Sequence, residues 1–235
     1  MKKVISGVAA ILLLTLTTKA QKTETIEGNG KIVTRDVAVS SFDALQAGGV
    51  YELKLSQGST ESVKIEADEN LQQYFDVHNE GSKLVINMKD TKNKNWKVKD
   101  KMTVYVTFKN LKALDLSTVG HVVSDSELKF GDLRLSNKSV GNVDLKLAVS
   151  KLDFQNSSVG NVRLQGSAQQ AVVKNTGVGK LQAGSLVVQD MDIENTGVGA
   201  AEVNAEKALK VKDTFLGKVT NRGKAPTRKM NKVRV

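Results

Sequence analysis

The side chains able to carry chemistry in this sequence are few and scattered. His78 and His121 are its only imidazoles, and cysteine is absent. A metal centre takes three or four ligands at close spacing, so each histidine reads as a lone surface side chain. Thr176-Gly177-Val178-Gly179-Lys180 looks at first like a phosphate loop, in which backbone N–H groups cradle an anion. Lys174 stands where that motif needs its first glycine, Leu181 stands where it needs Ser or Thr, and the phrase returns twenty residues later. No serine sits in the glycine frame of a nucleophile elbow. A polysaccharide lyase or hydrolase is the strongest enzyme alternative, but it needs clustered acids for calcium, or paired carboxylates, beside aromatic sugar platforms. Here acids alternate with bases, and aromatics make up 4% of the chain. One candidate contact set remains: Trp96 within a basic stretch that includes Lys92, Lys94, Lys97 and Lys99. Trp96 suits a cap over neighbouring strands equally well. The sequence therefore predicts no catalytic residue, no cofactor and no metal.

What must position these side chains is a repeat. Asn137-Lys138-Ser139-Val140-Gly141 recurs as 156–160, 175–179 and 195–199, with looser copies at 116–120 and 213–217, and the successive glycines lie 21, 19, 19, 20 and 18 residues apart. Helix-pair repeats are longer than this. Ahead of each phrase the residues alternate as in a half-buried strand, for example Leu133-Arg134-Leu135 and Leu152-Asp153-Phe154. A second alternating run follows each glycine. The prediction is an all-β, single-domain, right-handed parallel β-helix with coils of about 19 residues.

Aligning the phrases assigns two inward columns. One is Leu135, Phe154, Val173, Ile193 and Val211; the other is Val119, Val140, Val159, Val178, Val198 and Leu216. On that assignment an aspartate at Val159 would be a buried, unpaired charge. The structural corner is formed by Asn137, Asn156, Asn175 and Asn195, whose amides can hydrogen-bond as a ladder, with Gly141, Gly160, Gly179 and Gly199 supplying positive φ. On the outer face Arg134 should meet Asp153, Lys174 and Lys212 should meet Glu194, and Asp192 should meet Lys210.

The remaining segments are less regular. Met1 to Ala20 reads as a secretory signal peptide, with Lys2 and Lys3, an apolar stretch from Val8 to Leu16, and a Thr18-Lys19-Ala20 cleavage site. Its removal takes three from the formal net charge of +10 and leaves +7. The domain plan is a signal peptide (1–20), a flexible start (21–29) and one β-helix domain (30–235). Within that domain lie irregular first coils and cap (30–112), regular coils (113–221) and a basic tail (222–235). The cap is expected to include a helical turn near residues 68–74, started by Asp68. No stretch is long enough to span a bilayer as a helix.

The chain also resembles the putative autotransporter adhesin family named for its head GIN domain, common among exported proteins of Bacteroidetes. The resemblance rests on Gly30 to Val37 leading into Phe42-Asp43-Ala44-Leu45, then on Val50 to Gly58, Ala67 to Leu71, Leu84-Val85-Ile86, Val104 to Thr107 and Leu111 to Ser117. It covers about residues 30 to 220. It implies a parallel β-helix exported to the periplasm or cell surface, with adhesion proposed and no assigned ligand or catalytic residue. Ser117-Thr118-Val119-Gly120 replaces a more glycine-rich corner, and no autotransporter barrel follows the repeats in this sequence. The functional expectation is a non-catalytic envelope or surface module. Its partner would be a cell-surface glycan, an anionic envelope polymer held by the basic stretches, or another envelope protein, with no nucleic acid. A carbohydrate-binding or polysaccharide-degrading β-helix is the alternative.

Overall fold

The computed structural model describes residues 24–89, 94–99 and 101–230, so the expected signal peptide, Met1 to Ala20, and Lys92 lie outside the described residues. The chain is nearly all β and winds through about six stacked turns. Four long strands, Val143–Asn156, Val162–Asn175, Leu181–Asn195 and Ala201–Asp213, pair in parallel with their neighbours. Each is one coil. The in-out alternation slips by one where two exposed residues are adjacent, at Ser150-Lys151 and again at Gln169-Gln170. The strand bends there, so that both halves can turn their apolar sides inward. A five-residue corner then closes the coil along a narrow third face.

The predicted column from Leu135 to Val211 is present and continues into the irregular half. Leu84, Leu45 and Leu114 stack in parallel on Leu135, and Phe154, Val173, Ile193 and Val211 follow. All eight side chains are buried. A second column runs from Val104 through Leu53, Val122, Val143, Val162 and Leu181 to Ala201. These two columns form a continuous core, and parallel pairing satisfies the backbone between coils.

The other predicted column is overturned. Val119, Val140, Val159, Val178 and Val198 do stack, through isolated parallel bridges, but they point outward and are about half exposed, and Leu216 is exposed as well. The alternation of the preceding strand continues unbroken through the corner: Leu135, Asn137 and Ser139 are inside, while Arg134, Lys138 and Val140 are outside. The period of two therefore wins over residue type, and the inward places go to asparagine. Those asparagines are buried. They remain satisfied because Asn137 Nδ2 donates to Asn156 Oδ1 (2.9 Å), Asn156 to Asn175 (2.7 Å) and Asn175 to Asn195 (2.7 Å). Asn195 Nδ2 closes the series on the Gly217 carbonyl at 2.8 Å. Gly160 shows why the corner ends in glycine: its φ is 135°, and a Cβ there would run into the carbonyl of Gly141 in the coil before.

Ahead of the regular coils the pairing changes direction. Ile32–Val37 runs antiparallel to Ser62–Asp68, which runs antiparallel to Thr103–Phe108, and Phe75–Glu80 forms a hairpin with Lys83–Met88. A 3-10 helix at Glu69–Tyr74 buries Leu71. Asp68 precedes this helix but does not cap it with its side chain. Its carboxylate instead turns to Gly30, accepting that backbone N–H through Oδ1.

Candidate functional site on the narrow face

The corners stack into an outer face three columns wide. Lys138, Ser157, Thr176 and Thr196 form one border, the valines run down the middle, and Asn142, Asn161, Lys180 and Ala200 form the other. The second border has a hydrogen-bond ladder of its own that sequence reading missed. Asn142 N–H donates to His121 Nδ1 (3.4 Å), Asn161 N–H to Asn142 Oδ1 (3.0 Å) and Lys180 N–H to Asn161 Oδ1 (3.0 Å). The Gly-Asn pairs at 141–142 and 160–161 are its signal: each side-chain oxygen reaches the backbone of the next coil. No acid occurs in the corner segments 117–121, 138–142, 157–161, 176–180, 196–200 and 214–218.

Beside this face lies an open cavity of about 440 Å³ lined by Arg163, Lys180, Gln182, Glu202 and Arg222. It coincides with a register shift between Arg163 and Gln165, where one strand carries extra residues. Its charge is partly compensated, because Arg222 bonds Glu202 at 2.7 Å and Arg163 reaches Asp144 at 3.4 Å. The other two faces are laced by ion pairs between coils. Lys212 with Glu194 (2.8 Å) and Lys210 with Asp192 (3.3 Å) are as predicted. Arg134 lies next to Asp153 in register, yet its guanidinium turns the other way to Asp115, at 3.0 Å.

Trp96, Lys94 and Lys97 lie on one short strand, Lys94–Lys97, which pairs in parallel with Glu24–Glu27, and Lys99 follows two residues beyond its end. Alternation divides them. Trp96 is half-buried against the core, edge-on to Tyr74 with ring centres 5.2 Å apart, and its indole nitrogen is enclosed without an acceptor. Lys94, on the same side, bonds Glu24 at 3.0 Å. Lys97 and Lys99 face the opposite way, into solvent. The ring and the Lys97 and Lys99 side chains therefore lie on opposite sides of the segment.

Three cavities bring carboxylates together: one of about 350 Å³ holds Asp190 and Asp192, one of about 340 Å³ holds Glu52, Asp125 and Asp144, and one of about 390 Å³ holds Asp43 and Glu61 with Ser41, Ser82 and Lys109. The Lys112 ammonium, 2.8 Å from Asp43, holds that carboxyl below its ordinary value, and Ser82 helps. Lys109, 3.0 Å from Glu61, does the same there, with Ser41. A general acid paired with a base needs its two pKa values pushed apart; here both move down, and both groups are held ionised. His78 lies between Asp76 and Glu80, at 3.4 Å from each, on an exposed strand. Among the described residues no group of three or more His, Asp or Glu is placed to hold a metal ion.

A family model matches residues 41–225, from the first stacked strand to the last coil. The chain belongs to the family described as "Putative auto-transporter adhesin, head GIN domain". This head GIN chain is similar to a solved "putative adhesin" from Bacteroides fragilis, with 27% identity and a TM-score of 0.73 over 87% of this chain and 100% of that one. A "putative lipid binding protein" from Parabacteroides distasonis shares the fold at 19% identity and a TM-score of 0.65, over 88% of this chain and 95% of the other. So does a "putative adhesin" from Parabacteroides merdae, at 22% identity and a TM-score of 0.53, over 88% and 100%. No curated protein matches the sequence.

Proposed function

We propose that this head GIN chain is an exported, non-catalytic module of the cell envelope or surface, a rigid rod whose outer faces hold a glycan, an envelope polymer or another envelope protein. The observation that carries this reading is the family match across residues 41–225, which covers almost the whole solenoid. The leader-like sequence of Met1 to Ala20 supports export. Lys112 beside Asp43 and Lys109 beside Glu61 hold both carboxyls below their ordinary values, which does not suit that pair to act as acid and base in glycoside hydrolysis.

The test is expression of the full chain in a Bacteroides host, followed by fractionation, protease treatment of intact cells and a comparison of adhesion with and without the gene. The expected result is a chain starting at Gln21, found outside the cytoplasm, whose loss lowers adhesion. A glycan array with the purified chain then separates sugar from protein partners. A cytoplasmic chain that keeps Met1, or purified protein that shortens a polysaccharide, would overturn the proposal.

A further inference from the structure

The narrow face is an apolar stripe in a setting that has no need of one. Val119, Val140, Val159, Val178 and Val198 are each between 49% and 53% exposed, Leu216 is 61% exposed, and Phe215 at the end is 98% exposed. Five coil steps of about 4.8 Å make the stripe roughly 24 Å long. Exposed apolar side chains scattered singly mean little, but a contiguous row of them marks an interaction surface. In the earlier phrases Ser139, Ser158, Gly177 and Gly197 hold the buried place just ahead of the outward residue, and Phe215 holds it in the last. There the side chain stands in solvent.

The charges along most of the stripe are of one sign; Glu52, beside Val119 at its first end, is paired with Lys101 at 3.4 Å. Lys138, Lys180 and Lys218 border it, and the corner segments hold no acid. Beyond the stripe's end, residues 214–230 add Arg222, Lys224, Arg228 and Lys229, again without an acid. Arg222 and Lys229 are paired, with Glu202 and Asp213. Apart from Asp213, which takes the buried corner place of the asparagines, the acids of the regular coils lie on the other two faces, several of them tied to bases of adjoining coils.

A second copy of the chain fits this surface poorly. Stripe against stripe would press lysine-bordered, acid-free faces together, and a row one residue wide falls far short of the roughly 800 Å² per partner of a stable interface. A flat anionic surface with an apolar layer beneath it fits on both counts. Lysines lie with their stems along apolar surface and their ammonium groups at the headgroups, while branched aliphatics and an exposed phenylalanine reach the acyl boundary. We infer that the rod lies along its narrow face on an anionic phospholipid bilayer, anchored at its C-terminal end by Phe215 and Leu216 and held by Lys138, Lys180 and Lys218. The inference rests on the reading of an exported module, and it adds the surface on which the module sits.

The test is co-sedimentation of the chain from Gln21 onward, which keeps every described residue, with vesicles of phosphatidylcholine alone or mixed with phosphatidylglycerol. Binding is expected to the mixed vesicles and not to phosphatidylcholine, and to weaken as salt rises. Phe215→Ser, at a position too exposed to matter for folding, should lower the partition coefficient by about ten-fold. Replacing Lys138, Lys180 and Lys218 with glutamine should weaken both the binding and its salt dependence, with an unchanged circular dichroism spectrum. A chain left in the supernatant, equal binding to both vesicle types, or variants that bind as well as the original would each overturn the inference. So would a dimer in solution that Val159→Ser and Val178→Ser dissolve. Since vesicles report nothing about adhesion, a negative result here leaves the adhesin reading standing, and failed adhesion leaves a positive result here standing.

Discussion

Replacing Asn175 with alanine removes the middle rung of the buried asparagine ladder. Asn175 accepts from Asn156 Nδ2 and donates to Asn195 Oδ1, both at 2.7 Å. Asn156 and Asn195 are 6% and 0% exposed, so water cannot take the lost place. A buried polar group left without its partner costs about 1–3 kcal/mol. Asn156 keeps a carbonyl contact to Ser158 Oγ, and Asn195 keeps its bond to Gly217, but the two groups facing Asn175 are both stranded. The expected loss is therefore about 2–6 kcal/mol, a large part of the roughly 5–15 kcal/mol that holds a domain folded. Urea unfolding followed by circular dichroism measures it. With an m-value near the top of the range of about 1–3 kcal/mol per M, the midpoint should fall by about 1–2 M. Val159→Asp is the control: on the outward stripe the carboxylate meets water, and the change should stay within about 1 kcal/mol. If Val159→Asp unfolds the chain while Asn175→Ala leaves the midpoint in place, the assignment of inner and outer columns is reversed and the argument fails.

Gly160→Ala should cost more than about 2 kcal/mol in the same assay, from the left-handed φ and the meeting with the Gly141 carbonyl, whereas Gly131→Ala, with open space around it, should stay within about 0.5 kcal/mol. A carboxyl whose pKa is lowered in the fold contributes stability above its unfolded value and loses it as pH falls through the folded value. Asp43 should therefore titrate by NMR below 3.8, with Lys112→Ala moving the midpoint up, and its share of stability should vanish on acidification below that window. Trp96 is the only tryptophan, so its fluorescence reports the N-terminal cap. Tyr74→Ala should shift its emission to the red while leaving the far-ultraviolet dichroism of the coils intact, and an unshifted spectrum would mean that the ring contact does not shield the indole.

The stacked coils were legible because their strands repeat in both type and spacing. Leu135, Phe154 and Val173 are apolar, alternate with charged neighbours, and have nowhere to go but inward. The corner was misread for a physical reason. Hydrophobicity alone assigns valine to the inside and asparagine to the corner, whereas alternation counted from Leu133 places Asn137 inward and Val140 outward. A buried asparagine is costly in isolation and acceptable only in a stack, where each amide finds its partner in the next coil. That compensation comes from the repeat and is invisible in one phrase. The antiparallel strands ahead of the coils, the role of Asp68 toward Gly30, and the turn of Arg134 toward Asp115 depend on single long-range contacts, for which no periodicity gives warning. The narrow face is not legible as a surface while residue type alone assigns its valines to the core.

Because Asn156 and Asn175 occupy equivalent places, residues 157–175 make up one complete lap of the solenoid. Removing such a lap joins Asn156 to Thr176, leaves both inner columns, the amide ladder and the outward stripe continuous, and shortens the rod by about 4.8 Å. The architecture thus behaves as a ruler graduated in whole coils. A gene lineage can lengthen or shorten the molecule by duplication or loss in steps of about 19 residues, altering its reach while every surviving residue keeps its neighbours. Differences that are not whole laps are taken up as register shifts within the strands, between Arg163 and Gln165 and between Gln182 and Val187, in coils whose glycine spacing already varies between 18 and 21 residues.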